Sequence, residues 1–361
     1  MYEIWLTLDI LFELGMQYLP AVIGTAITHA PGVAFNRRFA MKDGTQKTHP
    51  GKMNPDIDHP AGPADDTVTT IGFRHAKTFA PLGCIVNFGC HATHMNGVEF
   101  SADYPRWVVE TLGSAYGEGF GAVFLNAPCG DVTQVDNCSP RAAEFGPYWC
   151  ERTGRAVDAA ALLGLATMDY VKRATIDAAV TRLPCAIRRG TPAELKQARA
   201  VLARRALDCG DAEALYAREL IEVERMRRRS PRLRLEVQAI RLGDTFLWTV
   251  PAELFQAFAL HVRAQSPFPK TCGVELANGY HGYICTPEAC ACGGYEVRIA
   301  RSSYLAEDTG ARIARAAARL ATALHERARK ELKQRDRKRF WPTADDRALD
   351  GIRSLESRGR G

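Results

Sequence analysis

The sequence predicts an α/β protein of the mixed, α+β kind, with mixed β-sheets flanked by helices and a helical hairpin inserted near 192–227. Three observations carry this. Short apolar runs alternate with stretches of 3.6-residue periodicity without a strict strand-helix-strand rhythm, there is no repeat or low-complexity tract, and four polar loops each follow an apolar run. With 361 residues, 46% of them hydrophobic and 24% charged, the chain can bury one large core or two smaller ones.

Taken in order, Leu6, Ile10, Leu11, Leu14 and Leu19 recur at helical spacing and predict an opening amphipathic helix that ends near Pro20. Ala40 to Asp66 is rich in Gly, Pro, Asp, Lys and His and reads as a long loop, with His49 and His59 solvated. A strand from Cys84 to Phe88 precedes Asp103-Tyr-Pro105, where an Asp cap and a first-turn proline start a helix through about Tyr116. The strand Ala122 to Leu125, helical periodicity over Arg152 to Met168, and a strand from Asp177 stopped by Pro184 follow. Helices from Pro192 to about Asp208 and Ala212 to about Arg227 form the hairpin, turning at Cys209-Gly-Asp211. Alternation at Leu233, Leu235, Val237 and Ala239, the turn Gly243-Asp244 and the return Thr245 to Val250 give a β-hairpin, leading into a helix over Leu254 to Gln265. The run Cys272 to Ala277 precedes one more polar loop, and a helix from Asp308 to about Lys333 closes the fold. The domain expected is therefore 1–333, with a charged flexible tail over 334–361.

The net charge of +6 comes from arginines at 225–234 and 327–339, which adjoin helical periodicity and read as solvated faces; no nucleic-acid motif accompanies them, so no such partner is expected. Eleven cysteines, an odd number without paired Cys-x-x-Cys spacing, fit a reduced cytoplasmic protein, with Cys84, Cys90 and Cys129 as small buried hydrophobes. The first residues lack a basic region and carry Glu3, Asp9 and Glu13, unlike a signal peptide. The longest uncharged stretch, Leu14 to Asn36, is interrupted by Pro20, Gly24 and Pro31, so no transmembrane segment is expected.

Chemistry concentrates where apolar runs end. Asn87-Phe-Gly-Cys-His91 opens a loop with a second histidine, His94; Glu253 follows the strand ending at Val250; and Tyr283 lies in the loop after Ala277. One imidazole, one carboxylate and one phenol suit Zn²⁺, and three protein ligands with an open position is the catalytic count. His91 also reads as a core histidine satisfied by carbonyls, Asp131 as a loop cap, and Tyr280 and Tyr304 as packing.

Six stretches in order resemble the neutral ceramidase family, zinc-dependent amidases that cut the fatty acyl amide of ceramide. They are Phe35-Asn-Arg-Arg38, Asn87-Phe-Gly-Cys-His91, Ser101-Ala-Asp-Tyr-Pro105, Asn126-Ala-Pro-Cys-Gly-Asp-Val132, Val250-Pro-Ala-Glu253, and Asn278-Gly-Tyr-His-Gly-Tyr-Ile-Cys-Thr-Pro-Glu288 running on to Gly294-Tyr-Glu296. The resemblance implies His91, Glu253 and Tyr283 as zinc ligands, Tyr295 as a second tyrosine holding the substrate carbonyl, and Thr133 where family members carry a serine after Gly-Asp-Val. It implies a small-molecule or lipid-like acyl-amide substrate, with oxyanion donation from Tyr295 and Thr133 in the Asp131 loop, and protonation of the leaving amine by His94 or Asp103. The family's first zinc histidine lies in a His-Thr-His-Ser-Gly-Pro segment upstream of the opening helix, and its C-terminal immunoglobulin-like domain lies downstream. Neither has a counterpart here, and His29 aligns with a stretch that carries no ligand. The competing expectation is a truncated, catalytically inactive relative, without the first zinc histidine, that binds a ligand or nothing.

Overall fold

The computed structural model describes residues 19–172, 174–204 and 211–340, with side chains through Lys330. The expected opening helix, Cys209 and Gly210 of the hairpin turn, and the tail from 341 lie outside the described residues.

Two βαβ units organise the fold. In the first, strand β7 (Pro81–Phe88), helix α1 (Asp103–Tyr116) and strand β8 (Gly121–Asn126) bring β7 and β8 together in parallel. They form one side of a five-stranded sheet, in which β6 (Thr67–His75) and β1 (Ala21–His29) continue antiparallel and the two-residue β10 (Tyr170–Val171) completes the order. In the second unit β13 (Thr245–Thr249), α5 (Gln256–Gln265) and β15 (Lys270–Val274) give another parallel pair, extended by β12 (Arg232–Leu242) and β11 (Ile176–Ala186) into a four-stranded sheet. Parallel neighbours need a crossover, and one helix supplies each.

The two sheets pack face to face inside two helical layers. Ile71, Leu247 and Cys272 are buried between the sheets with Ile23, Phe73, Ile85, Leu125, Ile240 and Leu242 against them, and the hydroxyls of Thr245 and Thr25 meet at 2.8 Å. On the outer face of the first sheet, Tyr104, Val108 and Leu112 of α1 and Val157, Ala161 and Leu165 of α2 (Pro147–Thr167) cover Val68, Val86 and Phe88. On the other side, Phe258 and Val262 of α5 and Ile313, Ala317 and Leu324 of α7 (Thr309–Phe340) cover Leu235, Val237 and Trp248. Each of the Val, Leu, Ile and Phe side chains contributes about 1.5–3 kcal/mol on burial. Among the described residues, no helix is long and apolar enough to cross a membrane.

The mixed α/β architecture matches the sequence prediction, and the hairpin is formed by α3 (Pro192–Arg204) and α4 (Ala212–Arg229). Several details differ. Ala21–His29 and Thr67–His75, which carried no assignment, are central strands of the larger sheet. The expected loop 40–66 contains short strands at Gln46–Thr48 and Ile57–Pro60 that pair with Arg38–Met41. Strand β11 runs through Pro184 to Ala186, because it is an edge strand whose open side does not need the missing N–H. The last helix continues past Lys333 to Phe340.

Both parallel pairs end at the same place. The Asn87 side-chain amide donates to the Gly273 carbonyl at 2.9 Å, and the Glu275 amide donates to the Asn126 carbonyl at 2.9 Å. The loops that leave β7, β8, β13 and β15 are thereby gathered at one end of the sandwich, the edge where α/β sheets carry their sites.

Candidate active site

His91, Glu253 and Tyr283 meet there. His91 Nε2 lies 3.0 Å from Glu253 Oε2 and 3.5 Å from the Tyr283 hydroxyl, and the rings of His91 and Tyr283 stack at 6.2 Å. Backbone pairing enforces the meeting. Glu253–Leu254 and Tyr283–Ile284 form a two-residue parallel ladder in which Glu253 and Tyr283 are direct partners. The loop after β8 is locked to the same ladder by the Gly130 amide, which donates to the Leu254 carbonyl at 2.9 Å. A side chain at Gly130 would place its Cβ 2.5 Å from the Glu253 carbonyl oxygen, so only glycine permits this approach. Gly282, with φ 69°, allows a similarly close passage against Ser302 just before Tyr283.

Hydrogen bonds orient the imidazole and the carboxylate. His91 Nδ1 lies 3.0 Å from the Val132 carbonyl oxygen, which can only accept, so Nδ1 donates there and Nε2 is the nitrogen turned to Glu253. The His91 and Glu253 side chains are both 12% exposed, sheltered enough for strong electrostatics yet open to solvent. Burial opposes ionisation of Glu253, but hydrogen bonds from His91 and Tyr280 and the His91 charge outweigh it and hold the carboxyl below its usual range. Burial, with the neighbouring Glu253 charge, pushes the Tyr283 phenol well above its ordinary range, against the opposing pull of Arg37.

The residues fit a metal in donor chemistry: one imidazole nitrogen turned outward by the Val132 carbonyl bonded to the other ring nitrogen, one carboxylate and one phenol. Two of these three are of the usual His, Cys, Asp or Glu types; among the described residues no group of three or more such side chains is gathered at one point.

Around this set stands a second ring of contacts. Tyr295 is half-exposed with its ring 5.7 Å from that of Tyr283, and the Arg37 guanidinium lies 5.3 and 5.9 Å from the two ring centroids. Arg37 and Arg38 both pair with the fully buried Glu296, at 2.8 and 2.7 Å, which anchors the segment carrying Tyr295 to the chain after β1.

The remaining expected site residues are otherwise engaged. Asp131 is buried, accepting from the Gln256 amide at the start of α5 and from Asn36, and so ties helix to loop; burial raises its carboxyl above the ordinary range. The Thr133 hydroxyl donates to Gln134 Oε1 at 2.7 Å. Asp103 does not act as a regular cap: at φ 52° it turns its carboxylate to His94 Nδ1 at 2.7 Å and to the amides of Met95 and Tyr104. Burial works against its charge, yet those bonds prevail and keep it ionised below the usual range, so it is no proton donor at neutral pH. His94, fully buried, bridges Asp103 and the Thr153 hydroxyl at 2.9 Å and braces α1 against α2. His29 pairs with Asp66 at the surface.

No family model matches the sequence, and neither does any curated protein. Comparison with solved structures finds the neutral ceramidase of Pseudomonas aeruginosa, at 19% identity and TM-score 0.58, covering 86% of this chain and 53% of that one. A ceramidase complexed with C2 matches at 19% identity and TM-score 0.59, over 86% of this chain and 54% of that one. The fold is that of the neutral ceramidases. The chain spans about half the length of the ceramidases it matches.

Within this ceramidase fold, three residues of the site escaped sequence reasoning. Glu275 is buried at the end of β15, where its carboxylate receives the Leu254 and Cys129 amides at 3.1 Å and Asn126 Nδ2 at 3.0 Å, and burial pushes it up to about 8. A lone carboxylate inside the apolar run Cys272 to Ala277 was the available signal. Tyr280, read as packing, donates its hydroxyl to Glu253 Oε1 at 2.8 Å. Arg37 lies in the Phe35–Arg38 stretch, and its pairing with Glu296 holds its guanidinium beside the Tyr283 and Tyr295 rings.

Proposed function

We propose that this chain is a hydrolase of linear acyl amides, ceramidase-like in mechanism, with zinc held by His91 Nε2, a Glu253 oxygen and the Tyr283 oxygen. The observation that carries the reading is the convergence of these three atoms on one point, with His91 Nδ1 committed to Val132. A zinc ion held there supplies Lewis acidity, polarising an amide carbonyl and acidifying water.

The chain's own residues do the rest. The His91–Val132 bond keeps the imidazole in the ligating tautomer. Tyr280 holds one Glu253 oxygen at 2.8 Å and leaves the other toward His91. Tyr295, half-exposed beside Tyr283, would donate its hydroxyl to an oxyanion, and the Arg37 charge 5.9 Å from its ring favours negative charge there. Thr133 donates to Gln134 and serves this step only after a rotation of its hydroxyl.

Elemental analysis of the purified protein with an assay on N-dodecanoyl amides tests the proposal. Stoichiometric zinc and turnover are expected, both lost in His91→Ala. A protein with neither zinc nor turnover leaves the binding-protein reading in its place.

A further inference from the structure

A cavity of about 430 Å³ lies between the helical hairpin and the segment 293–299, within the roughly 300–1,000 Å³ range of small-molecule sites. Its apolar surface comes from Ala198 and Val201 of α3, Ala217 and Leu220 of α4, and Val297 and Ile299 opposite. On each helix the lining residues recur at three- and four-residue intervals, so each helix turns one continuous face to the cavity. The wall formed by Gly293, Gly294, Val297 and Arg298 flanks Tyr295, and the groove therefore abuts the candidate active site.

Two arginines and two glutamates line this groove, and they differ in how they are engaged. Glu194 is spent on the Thr191 amide and hydroxyl, at 2.7 and 2.8 Å, in a capping box at the start of α3, and Glu213 is likewise engaged. Arg188 donates to the carbonyls of Val297 and Ser303, at 2.9 and 2.7 Å, but its buried Nε has no hydrogen-bond partner. Arg298 stacks 3.6 Å from the Tyr216 ring centroid and pairs with no carboxylate among the described residues. A buried guanidinium N–H without an acceptor is costly, and a planar guanidinium on an aromatic face is suited to a planar carboxylate.

We infer that the groove between the hairpin and residues 293–299 binds the arm of the amide substrate, and that this arm is apolar and bears a carboxylate received by Arg188 and Arg298. The chemical class is that of N-acyl amino acids, and the inference rests on the amidase reading for the bond that is cut. Hydrolysis adds water across the C–N bond, giving a fatty acid and a free amino acid, with no redox partner.

The test compares N-dodecanoyl-phenylalanine with N-dodecanoyl-phenylalaninol, which replaces the carboxylate by a neutral hydroxymethyl. The phenylalanine conjugate is expected to show kcat/KM at least about tenfold higher. Arg298→Ala should raise its KM about tenfold and remove the preference, and Arg298→Lys should recover part of it, as a retained point charge does. Equal turnover of the two amides, or a preference indifferent to Arg298→Ala, overturns the inference while the amidase reading stands. Calorimetry on His91→Ala separates the two claims. If the unaltered protein cleaves neither amide, yet N-dodecanoyl-phenylalanine binds the His91→Ala variant and binds it more weakly once Arg298→Ala is added, the groove assignment holds and the amidase reading falls; no binding overturns the groove assignment.

Discussion

Tyr280 donates its hydroxyl to Glu253 Oε1 at 2.8 Å while the other Glu253 oxygen lies 3.0 Å from His91 Nε2, so one carboxylate is held between a tyrosine and a histidine. Tyr280→Phe removes only that donor. Since the tyrosine is half-exposed, stability should change by less than about 1 kcal/mol. Zinc affinity should fall by about 10- to 100-fold, as for other outer-shell partners of metal ligands. Competitive chelator titration checks this, and unchanged affinity would remove Tyr280 from the site.

Gly130 lets the loop after β8 lie against the Glu253 backbone, where an added Cβ meets the carbonyl oxygen at 2.5 Å. Gly130→Ala is expected to cost about 1–3 kcal/mol, as overpacking does, and to lower zinc occupancy by spreading the loop from the ladder. Urea unfolding with metal analysis reads both; a stable variant with full occupancy would mean that the loop gives way freely.

Glu296 neutralises two buried arginines. Glu296→Leu leaves Arg37 and Arg38 uncompensated, a loss of about 3–5 kcal/mol by the general cost of breaking a buried pair. Because Tyr295 adjoins Glu296, kcat should fall as well in any variant that still folds. Denaturant midpoints test the first effect, and a shift below about 1 kcal/mol would contradict it.

Asp158 on α2 is 4% exposed, its Oδ1 lacks a hydrogen-bond partner, and burial raises its pKa from 3.8 to about 6. The folded pKa stands above the unfolded value, so the folded state holds the proton more tightly. The group's contribution is complete below the unfolded pKa and is lost as pH rises through about 6. Asp158→Asn should flatten this decline and be the more stable protein above that pH. Urea midpoints from about pH 4 to about pH 8 decide it, and parallel profiles for the two proteins would refute the assignment.

Elements whose pattern is local were legible in the residues alone: helix α1, the hairpin helices, the β12–β13 turn at Gly243-Asp244, and the polar loops at strand ends. The sequence also placed His91, Glu253 and Tyr283 in one set, because each lies in a short motif. It was silent on Ala21–His29 and Thr67–His75, whose residues sit between two packed layers and therefore lack clear two-residue alternation. That Glu253 and Tyr283 are ladder partners, that Glu275 and Tyr280 brace the site, and that Asp103 belongs to His94 came from the folded arrangement. These are contacts between segments distant in the chain, set by how two sheets stack and where their strands end, and neither periodicity nor motif spacing encodes that stacking.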